Sequence, residues 1–256
     1  MDIDLTLCDT TGNDYHHSTP KPYVIALINR LYEQGNKIRV YTGRGSKSGM
    51  DWKSLTELQL KEWGVKYNEL LMGKPDTDYF IDDKNLPLAA LQGQDPTLVE
   101  AFVKAFLDNK KVLAAGNGGL ASDAEHFVGE LVGKYAFDVF MPAIALTSNS
   151  AVVTAIANDM GYEKVFAHQV QVLGERGDIF VGMTTTQSKN VVYACEAAHD
   201  KGLLTVMVCG QKSELYADYV VRMDGNDVAE IQNSAIQFLH SLAYAVKKEI
   251  WDNKRG

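Results

Sequence analysis

The chain has 256 residues, 46% of them apolar and 23% charged, and carries a formal net charge of −8. That length suits one large domain or two small ones and is ample for a packed core. An acidic balance of this size excludes nonspecific binding to nucleic acid or to an anionic membrane, since both need a basic surface. The three cysteines, Cys8, Cys195 and Cys209, form no CxxC pair, so reduced thiols in a cytoplasmic protein are expected and a disulfide framework is not. No signal pattern opens the chain, and no apolar run approaches the ~20 residues of a membrane helix.

Near the start, Val24, Leu27, Ile28 and Leu31 fall at i, i+3, i+4 and i+7, the spacing of an amphipathic helix. Gly35-Asn36 ends it, and Ile38 to Tyr41 reads as a short buried strand. A polar TGRG turn follows, then a second helix from about Asp51 to Trp63. Tyr79-Phe80-Ile81 reads as another strand and runs straight into Asp82-Asp83. The turn-like segment Gln92-Gly93-Gln94-Asp95-Pro96 marks the expected boundary between two domains, 1–92 and 93–256. Asp95 or Thr97 would cap the helix beyond it, with Pro96 in the first turn.

In the second domain, Lys111 to Ala115, Pro142 to Thr147, Asp178 to Met183, Leu203 to Cys209 and Tyr219 to Met223 read as short buried strands. Helical stretches separate most of them, so the fold class is α/β with a largely parallel sheet covered on both faces. A last helix is expected from about Asp227 to Trp251.

Several groups in this domain suit chemistry. Gly116-Asn117-Gly118-Gly119 is a glycine-rich turn between strand and helix, where backbone N–H groups can approach an anion, or where tight packing alone is served. His126 and Glu130 lie at i, i+4 on one helix face, as a metal-ligand or proton-transfer pair, or as a surface ion pair. Thr184, Thr185, Thr186 and Ser188 cluster hydroxyls just before a helix, which makes a neutral phosphate cradle; capping by Ser188 would explain one hydroxyl of the four. Gln232, Ile236 and His240 share one stripe of the last helix.

The segments GNGGLASDAEHFVGEL, PAIALTSNSAVVTAIANDMGYEKVF and GDIFVGMTTTQSKNV closely resemble the sugar-isomerase (SIS) domain of phosphoheptose isomerases. The resemblance implies interconversion of sedoheptulose 7-phosphate and D-glycero-D-manno-heptose 7-phosphate in surface-polysaccharide synthesis, with Glu130 as catalytic base and His240 as its acid/base partner. It also implies a zinc site at His126, Glu130, Gln232 and His240, and substrate contacts from Asn117, Gly118, Gly119, Asp159, Thr184, Thr185, Thr186, Ser188 and Gln232. A homotetramer acting on a phosphorylated sugar would follow. Ketose–aldose exchange passes through an enediol and needs a base and an acid on neighbouring atoms, which a carboxylate and an imidazole supply. Gln232 and His240 stand ~12 Å apart along a helix, so they meet one ion only by leaning inward or across subunits. Leu120 stands where the family usually has a serine, Ala229 where it has an aspartate (with Asp227 nearby), and the hydroxyl loop is one residue shorter.

Asp2-Ile3-Asp4-Leu5-Thr6, Thr42 in YTGRG, Lys74 in GKP and Asp82-Asp83 in IDDK resemble the ordered motifs of haloacid-dehalogenase-type phosphatases. The resemblance implies Asp2 as phosphoryl nucleophile and Asp4 as general acid/base. It implies phosphate binding by Thr42 and Lys74, and magnesium held by Asp2, Asp4, Asp82 and Asp83. Carboxylates suit both acyl-phosphate formation and a hard cation. The strand that leads into such a nucleophile would precede Met1, so a small unit with a truncated first strand is expected, and Leu5 replaces a common glycine. Two other readings of the whole chain stay open: a non-catalytic SIS binding module, and a phosphatase with a sugar-phosphate-sensing SIS domain.

Overall fold

The computed structural model describes residues 1–75 and 88–255. The strand expected at 79–81 and the pair Asp82-Asp83 lie outside the described residues. The chain divides into two compact units, Met1–Asn85 and Leu86–Gly256.

The first unit opens with a short antiparallel pair, β1 (Cys8–Asp9) and β2 (Thr19–Pro20). Helix α1 (Pro22–Glu33) starts on a proline, whose missing N–H costs nothing there, and buries Val24, Ile25, Leu27 and Ile28. Strand β3 (Arg39–Thr42), helix α2 (Lys53–Glu62) and strand β4 (Glu69–Met72) follow, and the two strands pair in parallel across the helical crossover. Met1 runs beside β3: its amino group donates to the Arg39 carbonyl at 3.0 Å, and Tyr41 N–H donates to the Met1 carbonyl at 2.8 Å. Leu5 sits at φ 63°, a left-handed conformation that suits glycine.

The second unit begins with α3 (Leu88–Gln92) and α4 (Pro96–Leu107), the latter capped by Asp95, whose side chain accepts from Thr97 N–H. Then come β5 (Val112–Ala115), α5 (Gly119–Val132), β6 (Ala143–Ala145), α6 (Ser150–Met160), α7 (Val165–Leu173) and β7 (Ile179–Thr184). Helix α8 (Lys189–Asp200), β8 (Leu204–Gly210), β9 (Tyr219–Met223) and α9 (Val228–Asn253) complete it. The unit starts ahead of the turn at 92–96 because α3 packs on α9. Gly93 lies so close to α9 that a Cβ there would fall 2.5 Å from the Phe238 carbonyl oxygen.

All five strands are parallel, in the order β6-β5-β7-β8-β9. Residues alternate between the two faces. Val112, Ala114, Val181 and Val206 pack with Phe102, Phe127, Phe238 and Leu242 of α4, α5 and α9. Leu113, Ala115, Phe180 and Met207 pack with Ile156, Val170 and Ala194 of α6, α7 and α8. The chain leaves β5 towards β6 on one side and later returns to β7 on the other. The C-terminal end of β5 is therefore a topological switch point, where open α/β sheets bind ligands. The glycine turn begins there.

Among the described residues, no helix is long and apolar enough to cross a membrane.

Candidate active site

Three glycines shape the turn after β5. Gly118 has φ 58° and ψ −122°, and a Cβ on Gly116 would fall 2.5 Å from the Leu120 carbonyl oxygen. At Gly119 the close neighbour is Gln232, whose Oε1 would lie 2.7 Å from an added Cβ. Gln232 thus rests its amide on the first residue of α5. His126 lies seven residues further along that helix, ~10 Å away at 1.5 Å per residue. Leu120 is buried in the core.

Further along the same two helices, three side chains converge. Glu130 Oε1 lies 3.1 Å from His126 Nε2 and 3.3 Å from His240 Nε2, and the two imidazole nitrogens are 3.1 Å apart. One donor atom from each of these residues fits within a 4.8 Å group. Glu130 is buried while both histidines are partly open to solvent. Its second oxygen, Oε2, is buried and has no hydrogen-bond partner, an arrangement that carries a desolvation cost unless something charged or polar occupies the site. Two imidazoles and a carboxylate facing one point are a fitting donor set for zinc. Gln232 stays at the glycine end.

Nearby ionisable groups respond to the same environment. Burial pushes the Asp123 carboxyl up, and His126 and His240 partly offset this. Burial also raises the Tyr135 phenol, with help from Glu130 and Tyr244. Lys247 is fully buried, and its Nζ donates to the Gly133 carbonyl at the end of α5, 2.7 Å away. Burial lowers its pKa, and Glu130 pulls the other way. A cation at a helix C-terminus is favoured by the helix dipole.

Between β7 and α8 the hydroxyl loop is organised from within. The buried Thr184 Oγ1 accepts from Thr186 N–H at 3.3 Å and Ser188 N–H at 3.2 Å, and donates to Ser188 Oγ at 3.2 Å. Its hydroxyl holds the loop, while Thr185, Thr186 and Ser188 retain exposure. Ser188 occupies the N-cap position, yet its side chain makes no capping bond. Asn117 and Asn190 exchange amide hydrogen bonds at 2.9 and 2.8 Å, which ties the glycine turn to the start of α8. Tyr162 Oη donates to Asn117 Oδ1 at 3.0 Å. Asp159 is exposed in the last turn of α6, and Asn158 donates to it at 2.8 Å. Asp227 is the N-cap of α9, where it accepts from Glu230 N–H.

With this geometry in place, likeness to known proteins becomes informative. The SIS domain family matches residues 96–210. A phosphoheptose isomerase of Aneurinibacillus thermoaerophilus is 36% identical over 157 residues, 59% of this chain and 79% of that protein. One from Sulfurimonas denitrificans is 39% identical over 154 residues, 58% of this chain and 79% of that protein. The chain belongs to the phosphoheptose isomerase family. The solved phosphoheptose isomerase of Neisseria gonorrhoeae superposes with a TM-score of 0.56 at 31% identity, covering 65% of this chain and 89% of that one. The Francisella tularensis enzyme gives 0.57 at 30% identity, covering 64% and 88%. The matched stretch is the C-terminal ~60% of the chain.

In the first unit the structure brings together four of the residues singled out from sequence. Asp2 Oδ2 accepts from Lys74 Nζ, and Asp2 Oδ1 accepts from Ile3 N–H at 2.8 Å. Asp4 accepts from Arg44 Nε at 3.0 Å, from Arg44 Nη2 at 2.8 Å, and from Thr10 Oγ1 at 2.7 Å. Thr42 is buried, and its hydroxyl accepts from Arg44 N–H. Arg44 was not foreseen. It is buried, reaches Gln59 Oε1 at 2.6 Å, and lies 4.8 Å from the Tyr15 ring centre.

Lys247, Asn190 and Tyr162 were also missed. A signal for Lys247 existed: it continues the apolar stripe of Leu239 and Ala243 at four-residue steps, so a lysine there must be buried. Tyr162 lay inside the quoted NDMGY segment, but its hydroxyl partner is 45 residues distant.

Proposed function

We propose that the second unit interconverts sedoheptulose 7-phosphate and D-glycero-D-manno-heptose 7-phosphate through an enediol, supplying heptose for surface polysaccharide. The observation that carries this reading is the convergence of His126, Glu130 and His240, with Glu130 Oε2 buried and unpaired. Glu130 takes the proton from the carbon beside the carbonyl, and His240 moves a proton on oxygen, 3.3 Å from the carboxylate. The enediol then collapses with the proton returned to the neighbouring carbon. His126, Glu130 and His240 would hold zinc, while Gln232, resting on Gly119, would contact the substrate from the glycine end. When bound, such an ion polarises the carbonyl as a Lewis acid.

The phosphate would sit among the N–H groups of Asn117, Gly118 and Gly119 and the hydroxyls of Thr185, Thr186 and Ser188, with Thr184 bracing the loop and Asp159 meeting the sugar hydroxyls. A homotetramer is proposed, since both histidines are partly open and a neighbouring subunit would close the site. The cytoplasm is the proposed location, because sugar phosphates are made and used there. Product analysis by NMR after incubation with sedoheptulose 7-phosphate, with and without added zinc, tests the reading. Unchanged substrate under both conditions would refute it.

A second reading concerns the first unit, Met1–Asn85, for which we propose a phosphatase of the haloacid-dehalogenase type. Supporting it are the Asp2–Lys74 ion pair, the bonds of Arg44 to Asp4 and Thr42, the Lys74 N–H on the Thr42 carbonyl and the left-handed Leu5 at the glycine position of the motif. Asp2 would attack phosphorus and Asp4 would transfer the proton. Lys74 and Thr42 would hold the phosphate, and magnesium would sit on Asp2 and Asp4 with the sequence-assigned Asp82 and Asp83. Magnesium-dependent phosphate release that vanishes in Asp2→Asn tests it, and no release from the unaltered protein counts against it.

A further inference from the structure

The Asn117 side chain in the glycine turn bonds two others at once, Asn190 of α8 and Tyr162. Asn190 Oδ1 accepts from Val191 N–H at 3.0 Å, which fixes which end of the Asn190 amide is oxygen. Asn190 Nδ2 must then donate to Asn117 Oδ1, and Asn117 Nδ2 must donate back. With its oxygen acting as acceptor, Asn117 leaves Tyr162 Oη only the donor role in their 3.0 Å bond. Tyr162 therefore gives the Asn117 carbonyl a second donor, and a flip of that amide would set its N–H groups against Asn190 Nδ2.

The chain of bonds also joins the three segments that the isomerase reading assigns to substrate. Asn117 belongs to the glycine turn, and Asn190 opens α8 directly behind the hydroxyl loop. Tyr162 follows Asp159 by three residues, across the left-handed Gly161 (φ 93°). Tyr162 is 55% exposed, so core packing does not account for its placement. Asn117 Nδ2 carries two hydrogens and spends one on Asn190; with the amide locked, the second is kept for a ligand.

We propose that Tyr162 is a positioning residue for phosphate binding: its hydroxyl steadies the Asn117 side chain as a second donor to its carbonyl and couples the Asp159 segment to the anion cradle. This rests on the phosphate-cradle reading given above. It places the effect of Tyr162 on ground-state binding of the phosphate end, remote from the proton transfer at Glu130.

The test is Tyr162→Phe in the full chain, which keeps the ring and removes the hydroxyl. Inorganic phosphate is the probe, as competitive inhibitor and as ligand in calorimetry. The inhibition constant for phosphate and the KM for sedoheptulose 7-phosphate should both rise about three- to tenfold, the worth of one hydrogen bond. The value of kcat should stay within about twofold. In an Asn117→Ala background the tyrosine substitution should add nothing further, because the two act as one unit. An unchanged phosphate constant, or an equal further rise in the Asn117→Ala background, overturns the proposal. If the unaltered protein fails to turn over the sugar phosphate, the isomerase reading falls. The calorimetric phosphate affinities of Tyr162→Phe and the unaltered chain then still decide the role of Tyr162.

Discussion

His240 Nε2 lies 3.1 Å from His126 Nε2, with Glu130 Oε1 within 3.3 Å of both. Three atoms with lone pairs facing one another need protons or a cation between them. Zinc titrated into the protein should therefore bind in calorimetry and raise the melting temperature, through ligation of the folded state alone. The double change His126→Ala with His240→Ala should abolish both effects. A melting curve indifferent to zinc in the unaltered protein would rule out the metal site.

Glu130→Gln keeps the shape of the side chain and removes its basicity. Turnover of sedoheptulose 7-phosphate should fall about 10²- to 10⁴-fold, the usual worth of a positioned general base. Circular dichroism and the melting temperature should show an intact fold. Turnover close to that of the unaltered protein would take the base role away from Glu130.

Thr184→Ala should loosen the loop between β7 and α8, because one hydroxyl serves two backbone N–H groups and the Ser188 hydroxyl. We expect KM to rise about tenfold, while Thr184→Ser, which keeps the hydroxyl, recovers most of the loss. Equal KM values for all three proteins would show that the loop holds without it.

Lys247 gives a pH dependence of known sign. Its pKa in the folded protein lies below the ordinary 10.5, chiefly through burial. Between the lowered value and 10.5 the unfolded chain binds more protons than the folded one, so rising pH favours folding through this group. Urea unfolding of the unaltered protein and Lys247→Met at pH 7.5 and pH 10 checks this. The stability difference should move in favour of the lysine at the higher pH, and parallel behaviour would contradict the sign.

Leu5→Gly should stabilise the first unit by about 1 kcal/mol, since the left-handed conformation at φ 63° penalises a side chain with a Cβ. Hydrogen exchange within the first unit reads the change. Faster exchange in the glycine variant would mean that Leu5 contributes contacts exceeding its backbone strain.

Legibility in the sequence followed the physics of each signal. The parallel sheet stood out because β7 and β8 are continuous apolar runs buried on both faces. Strand β4 escaped because Glu69-Leu70-Leu71-Met72 contains no β-branched residue and reads as helix. His126 and Glu130 were legible as an i, i+4 pair, but His240 met them through packing of helices far apart in sequence, which spacing cannot supply. Thr184 was grouped with the other hydroxyls, since composition does not reveal which hydroxyl turns inward.

Gln232 against Gly119, His240 against His126 and Lys247 against Gly133 are successive contacts of two helices running in the same direction. Their seam works like two combs held in step. Loss of a single residue between Gln232 and His240 would rotate everything downstream by about 100°, carrying His240 and Lys247 off the seam together. The length of this part of α9 is thus as tightly constrained as the identity of its side chains. Insertions and deletions should be tolerated past the last turn of α9, beyond Asn253, long before they are tolerated inside it.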